Sequence, residues 1–374
     1  MKLSEQIKDY ALDLGYHAVG IAPANPFIQY TEALEQRRED YSWLPRLWPI
    51  ADPGSSFPGA RSVVVAAYDY GSEGFPPELI GRIGRIYQAR CYGAPEDRFH
   101  GSRNELLRRF LIGAGCRAAP WQVGFSPVPD RPAAVRAGIA QFGRNTFACA
   151  PSIGSFIVIH SFLVDRELDY DTPAEGIHCP PKCQLCQNAC PTEAITAECR
   201  INPRRCIAFN TFTTRGDNGV SLYIPAEIRP KMATWIHGCD ICQQVCPRNQ
   251  RKSEIAISPY LANKAKEFDL FHLLTLTEEY YNRVIKPLMY NYVRDMNVFR
   301  RNAAIAMGNL GDPDSFDALS SALSDPAEPV RSHAAWALGR IGGHRVRKAL
   351  ESAFVKEGGE KARQEIQDAL AQLP

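Results

Sequence analysis

Three parts in series are what the 374 residues predict: an α/β domain, a cysteine-rich insert and an all-α repeat array. Three observations carry this expectation. Apolar β-branched runs separated by helical patterns extend to about residue 165, a block of cysteines lies between residues 179 and 246, and an eleven-residue phrase recurs near the C-terminus. The expected domains are residues 1–165, 166–260 and 261–374. A chain of this length with 45% hydrophobic and 22% charged residues can bury more than one core.

In the first part, Leu3, Ile7, Tyr10, Ala11 and Leu14 recur at helical spacing until Gly15, and a short strand follows over His17 to Ala22. Arg61 to Tyr70 is an apolar run of the kind buried on both faces of a sheet. A helix is expected from Ser102 to Gly113 and a strand from Gly154 to Val164, with Pro and Gly making an irregular loop between Pro45 and Pro58. Strands alternating with helices predict a mixed sheet, helices on its faces, with ligands at the carboxyl ends of the strands. The pattern also predicts a helix over Asp130 to Ala140, leading to a Gly143-Arg144-Asn145 corner. By pattern alone, that corner is either an anion- or amide-binding turn or an ordinary helix-to-strand loop.

The cysteines are the most specific signal. C-P-P-K-C-Q-L-C-Q-N-A-C-P runs from Cys179 to Pro191, and C-D-I-C-Q-Q-V-C-P from Cys239 to Pro247, with Cys206 upstream of the second run. This is a bacterial ferredoxin pattern written twice, and it predicts two [4Fe-4S] clusters. In such pairs three thiolates come from one tight loop, and the cysteine before proline reaches to the other cluster. One set is therefore Cys179, Cys183, Cys186 and Cys246; the other is Cys206, Cys239, Cys242 and Cys190. Structural zinc would also use C-x-x-C pairs but has no reason to place proline after a fourth cysteine. Disulfides would need an oxidising compartment, whereas the charged start Met1-Lys2-Leu3-Ser4-Glu5-Gln6 leads to the expectation of a cytoplasmic protein. One feature departs from the usual run: Pro180, Pro181 and Lys182 put three residues between the first two cysteines instead of two.

The formal net charge of +2 speaks against a strongly basic nucleic-acid protein and against an acidic one. Locally, Arg200 to Lys252 holds nine Lys or Arg against three acids, which either compensates anionic clusters or offers a phosphate-binding surface. No apolar run of about 18 residues exists, so no membrane partner is expected. At the C-terminal end, Arg301 to Gly311 recurs as Ser332 to Gly342 at a period of 31, with a truncated third copy over Arg363 to Leu370. These phrases resemble HEAT-type helical pairs, which stack because none buries its apolar face alone. Arg300, Arg301, Arg340, Arg345, Arg347 and Lys348 are the candidates there for contacts with RNA phosphate.

Arg136 to Thr146, R-A-G-I-A-Q-F-G-R-N-T, then Gly154-Ser155, R-C-I-A-F and G-C-D-I-C-Q-Q-V-C-P-R-N together resemble epoxyqueuosine reductases, from Gly20 to the C-terminus. The resemblance implies a cytoplasmic iron–sulfur enzyme related to reductive dehalogenases. It would bind cobalamin base-off in its N-terminal domain and reduce epoxyqueuosine in a tRNA anticodon, served by a low-potential donor such as a flavodoxin or ferredoxin. A monomer is expected. Carried over residue by residue, the corrinoid contacts would be Arg136, Gly138, Gly143, Arg144, Asn145, Gly154 and Ser155. Where the family reads V-D-T-G-P, with Asp as the proton donor, this chain has Gly124, and the neighbouring stretch from Arg85 to His100 is remodelled. Tyr87, Cys91, Tyr92 and His100 are then the candidate acids. Two alternatives stand beside the family activity: a paralogue that reductively cleaves a different small molecule, and a corrinoid-free electron-transfer protein.

Overall fold

The structure is a computed structural model that describes residues 1–42, 44, 47–89, 102–119, 126–212, 222–250, 256–289, 293 and 295–373. The chain forms two compact units. The first comprises Met1–Gly74, Ala89–Pro203 and Ile241–Ile255; the second comprises Phe75–Gln88, Arg204–Asp240 and Ala256–Pro374. The cysteine-rich segment contributes to both units.

At the centre of the first unit is a sheet of β1 (Ala18–Pro23), β2 (Ser62–Asp69) and β5 (Ile157–Val164), in the order β1-β2-β5. Val63, Val65 and Ala67 enter the core on one face, while Val64 and Ala66 enter the core on the other. Helices α1 (Leu3–Asp13) and α2 (Ser102–Gly113) cover the second face with Ile7, Ala11, Leu107 and Leu111. Helix α3 (Asp130–Arg136) covers the first with Ala133 and Ala134. The alternation expected for a doubly buried strand is therefore met by helices on both sides.

Two expectations are corrected. Among the described residues both pairings are antiparallel, Val19 opposite Ala66 and Val65 opposite Ser161, so these three strands do not form a mixed sheet and share no carboxyl edge. An apolar run buried on both faces reads the same in either direction, so direction was not encoded in it. Helix α3 also ends at Arg136 rather than Ala140. Gly138 breaks it with φ 73°, at a point where a Cβ would lie 2.4 Å from the Thr172 carbonyl oxygen, so the chain must turn and pack close there. The strands β3 (Gln141–Phe142) and β4 (Ala148–Cys149) follow as a small antiparallel hairpin.

In the second unit the recurring phrases are helices α4 (Asn297–Leu310), α6 (Glu328–Ile341) and, for the truncated third copy, α8 (Glu360–Gln372), alternating with α5 (Phe316–Ala322) and α7 (His344–Lys356). A Cβ on Gly308 would lie 2.7 Å from Ala337 Cα, and one on Gly339 would lie 2.9 Å from Ala369 Cβ. The repeated glycine is thus where each helix presses on the next. Arg300 and Arg331, one period apart, pair with Asp325 and Glu357. Arg300 is consequently turned into the array, and Arg301 is completely buried, which removes both from the candidate RNA contacts. Arg345 pairs with Asp317, and Arg347 donates to the Leu373 carbonyl. Among the described residues no helix is long and apolar enough to cross a membrane.

Candidate metal centre

The two prolines that follow cysteines shape the backbone first. A residue before proline is pushed from helical to extended conformation. Cys190 has φ −72°, ψ 108° and Cys246 has φ −76°, ψ 121°, so both copies of the motif adopt nearly the same turn. Each lies just beyond a short helix, Leu185–Ala189 and Ile241–Gln244, which carry Cys186 and Cys242 and pack on one another.

Within the first unit, Cys179, Cys183, Cys186 and Cys246 line one cavity, together with Gly143, Asn145, Cys149, His178, Leu185 and Pro247. The extra residue of the first loop is absorbed by Lys182, which adopts φ 59° and lets Cys179 still face the cavity. Among the described residues no three His, Cys, Asp or Glu side chains converge as they would on a single ion. The four thiols instead surround a space, as a cube of alternating iron and sulfide with one thiolate on each of its four irons requires. Burial pushes the thiols of Cys186 and Cys246 up, so thiolates in this cavity call for the positive charge of a metal core. Backbone donors supplement it. The Arg144 amide donates to Cys179 Sγ at 3.3 Å, and the Ala194 amide donates to Cys190 Sγ at 3.3 Å. The described residues therefore fit an iron–sulfur cluster in this cavity.

The corner that sequence alone left open is built into the same place. A Cβ on Gly143 would lie 2.8 Å from Asn145 Oδ1 and 3.2 Å from Cys149 Sγ, so only glycine lets the turn close on the cavity. Asn145 donates from Nδ2 to the Cys242 carbonyl at 3.3 Å, and Arg144 pairs with Glu198 at 2.6 Å. Ser155 Oγ accepts from Gln243 at 3.1 Å and from Asn249 at 2.9 Å, tying Gly154-Ser155 to the second cysteine run. Gly154 packs against Asn249, and Gly138 against Thr172. Arg136 lies 3.6 Å from the Phe27 ring centroid and gives its guanidinium to the carbonyls of Pro23, Asn25 and Pro26. All seven residues assigned to a corrinoid by resemblance thus lie in the first unit, where these bonds and contacts fix their positions.

Cys206 and Cys239 belong to the second unit. Cys206 precedes the helix Ile207–Phe212, and Cys239 follows Gly238, whose Cβ position would lie 2.7 Å from Tyr87 Cε2. Tyr87 is half-buried with its ring 4.2 Å from that of His237. Cys91, Tyr92, His100 and Gly124 lie outside the described residues.

Sequence reasoning missed Cys149 and Cys199. Cys149 is 3% exposed, and burial, then Cys246, Cys179 and Cys186, pushes its thiol up to about 12. Cys199 Sγ lies 3.4 Å from the Gly143 carbonyl oxygen. Neither belongs to a paired motif, so only the fold brings them near the cavity. Gln243 and Asn249 were legible as part of the second run but carried no role until Ser155 was seen between them.

Residues 178–249 match the 4Fe-4S double cluster binding domain, and residues 286–371 match HEAT repeats. An epoxyqueuosine reductase of Aliivibrio fischeri is 32% identical, covering 90% of this chain and 91% of its own. One from Synechococcus sp. is 30% identical over 82% of this chain and 94% of its own. A crystal structure of an epoxyqueuosine reductase with an epoxyqueuosine-modified tRNA stem loop is 26% identical, with a TM-score of 0.84 over 99% of this chain and 98% of that one. The Bacillus subtilis enzyme, with a catalytic loop bearing an Asp swung out of its active site, gives 26% and 0.83 over 100% and 99%.

Proposed function

The chain belongs to the epoxyqueuosine reductase family, and from that premise we propose that it reduces epoxyqueuosine to queuosine in a tRNA anticodon. The observation that carries the reading furthest is the cavity lined by Cys179, Cys183, Cys186 and Cys246. Those four hold one [4Fe-4S] cluster, and Cys190, Cys206, Cys239 and Cys242 hold the other. Cobalamin would be the second cofactor, bound base-off; this part of the proposal rests on the family resemblance.

When bound, the clusters and corrinoid supply low-potential one-electron chemistry that side chains cannot. The chain's own residues hold the sulfurs, aim the Arg144 and Ala194 amides at them, and keep water out. N–H donors to cluster sulfur favour the reduced state and so set the potential. A flavodoxin or ferredoxin is the electron source, the partner is tRNA, and the protein works as a cytoplasmic monomer. Tyr87, Cys91, Tyr92 and His100 are the proposed sources of the proton.

Gly124 favours a second reading, reductive cleavage of a different small molecule, because a glycine has no proton to give where the family has Asp. The experiment is reduction of epoxyqueuosine-containing tRNA by anaerobically reconstituted protein with cobalamin and a strong reductant, natural chain against Gly124→Asp. A positioned general acid contributes about 10²–10⁴-fold. Turnover by the natural chain, unchanged by the added Asp, supports the family activity and assigns the proton to another group. No turnover by either protein, with clusters intact, overturns it in favour of another substrate.

A further inference from the structure

Arg301 and Asn302 open the recurring phrase at α4, and both are 0% exposed. Asn302 Nδ2 donates to the carbonyls of Thr211 and Ile236, each at 2.7 Å. Arg301 donates to the Asn210 carbonyl at 2.8 Å and to that of Leu222. The bonded groups lead directly to two cysteines. Asn210 Nδ2 donates to the Cys206 carbonyl at 2.9 Å, and Thr211 Oγ1 accepts from the Gly238 amide, next to Cys239, at 2.8 Å. Phe299, also on α4, lies nearly parallel to His237, with centroids 5.3 Å apart and an angle of 19°.

One end of one helix is therefore bonded to the segment that begins at Cys206 and to the segment that ends at Cys239. The repeat itself does not demand this. At the matching positions of α6 stand Ser332 and His333, and His333 instead accepts from the Ile224 amide and bonds the Pro329 carbonyl. Without Arg301 and Asn302, the buried carbonyls of Asn210, Thr211 and Ile236 and the partly buried one of Leu222 would lose these donors and be left unsatisfied.

We propose that Arg301 and Asn302 are positioning residues that fix the separation of Cys206 and Cys239, so that the first HEAT-like helix serves cluster binding. The proposal rests on the reading above that both cysteines are cluster ligands. Cys206→Ala tests that reading separately: full-length protein, reconstituted anaerobically, must fall from about eight irons to about four.

The proposal's own test is Asn302→Leu, close in volume but without donors, read by iron and sulfide content, electron paramagnetic resonance and helical circular dichroism. We expect a helical protein with half the iron, lacking the signal that Cys206→Ala also lacks. Thr211→Val, which removes only the hydroxyl's bonds to the Gly238 amide and the Ala208 carbonyl and leaves the Asn302 bond to the Thr211 carbonyl in place, is the milder variant and should lose that same half of its iron to a chelator several-fold faster than the natural protein. Asn309→Ala cuts two bonds of α4 to the carbonyls of Arg229 and Ala233, away from either cysteine, and should keep all its iron. Full iron with unchanged spectra in Asn302→Leu, an unchanged chelation rate in Thr211→Val, or equal iron loss in Asn309→Ala overturns the proposal.

Discussion

Lys182 occupies φ 59°, a left-handed conformation that costs a residue bearing a Cβ about 1–2 kcal/mol. That cost accompanies the third residue between Cys179 and Cys183, and the geometry shows why a long flexible side chain is tolerated there while a branched one would not be. Lys182→Val is expected to lower cluster retention, measured as iron lost to a chelator over time, whereas Lys182→Gly should hold iron at least as well as the natural chain. Equal retention in all three would show that the widened loop does not constrain Cys179. The extra residue was visible in the sequence; its backbone angle was not, because only the need to keep Cys179 at the cavity selects it. Cys149 and Cys199 were illegible for a related reason, since a cysteine outside a spaced motif gives no sign of what tertiary folding will bring beside it.

Among the elements, the helical array was the most legible, because its period of 31 places glycine, alanine and arginine at the same point of successive helices. What the period could not reveal was contact. Gly308 lies where α4 meets Ala337, and Gly308→Val should cost about 1–3 kcal/mol through overpacking, read as a lower urea midpoint with an unchanged slope. His333 adds a pH dependence to the same array. Burial, reinforced by Arg229 and Arg301, holds its imidazole well below the ordinary 6.5, in the neutral form that accepts from the Ile224 amide. The unfolded chain takes up a proton near pH 6.5 that the folded chain refuses. Stability from this group is therefore complete above that pH and falls below it, by up to about 1.4 kcal/mol per pH unit. The gap in urea midpoint between pH 7 and pH 5.5 should narrow in His333→Gln; an unchanged gap would remove this histidine from the account. The central sheet was read less well, since β-branched runs announce strands and burial but not direction, and its pairings among the described residues are antiparallel.

At the scale of the whole molecule, the double-cluster domain at residues 178–249 and the repeats at residues 286–371 were both announced by spacing, and both have matching families. The substrate is the least legible part, because the decisive position, Gly124, is a departure whose meaning depends on groups other than itself. Everything proposed about electron delivery depends on each cysteine run supplying the other's fourth ligand. Cys246→Ala, prepared anaerobically and examined by iron analysis and electron paramagnetic resonance, tests this most directly. The iron content is expected to fall from about eight to about four, with loss of the same cluster signal that Cys183→Ala removes. Retention of that signal, with loss instead of the one that Cys239→Ala removes, would contradict this exchange of fourth ligands.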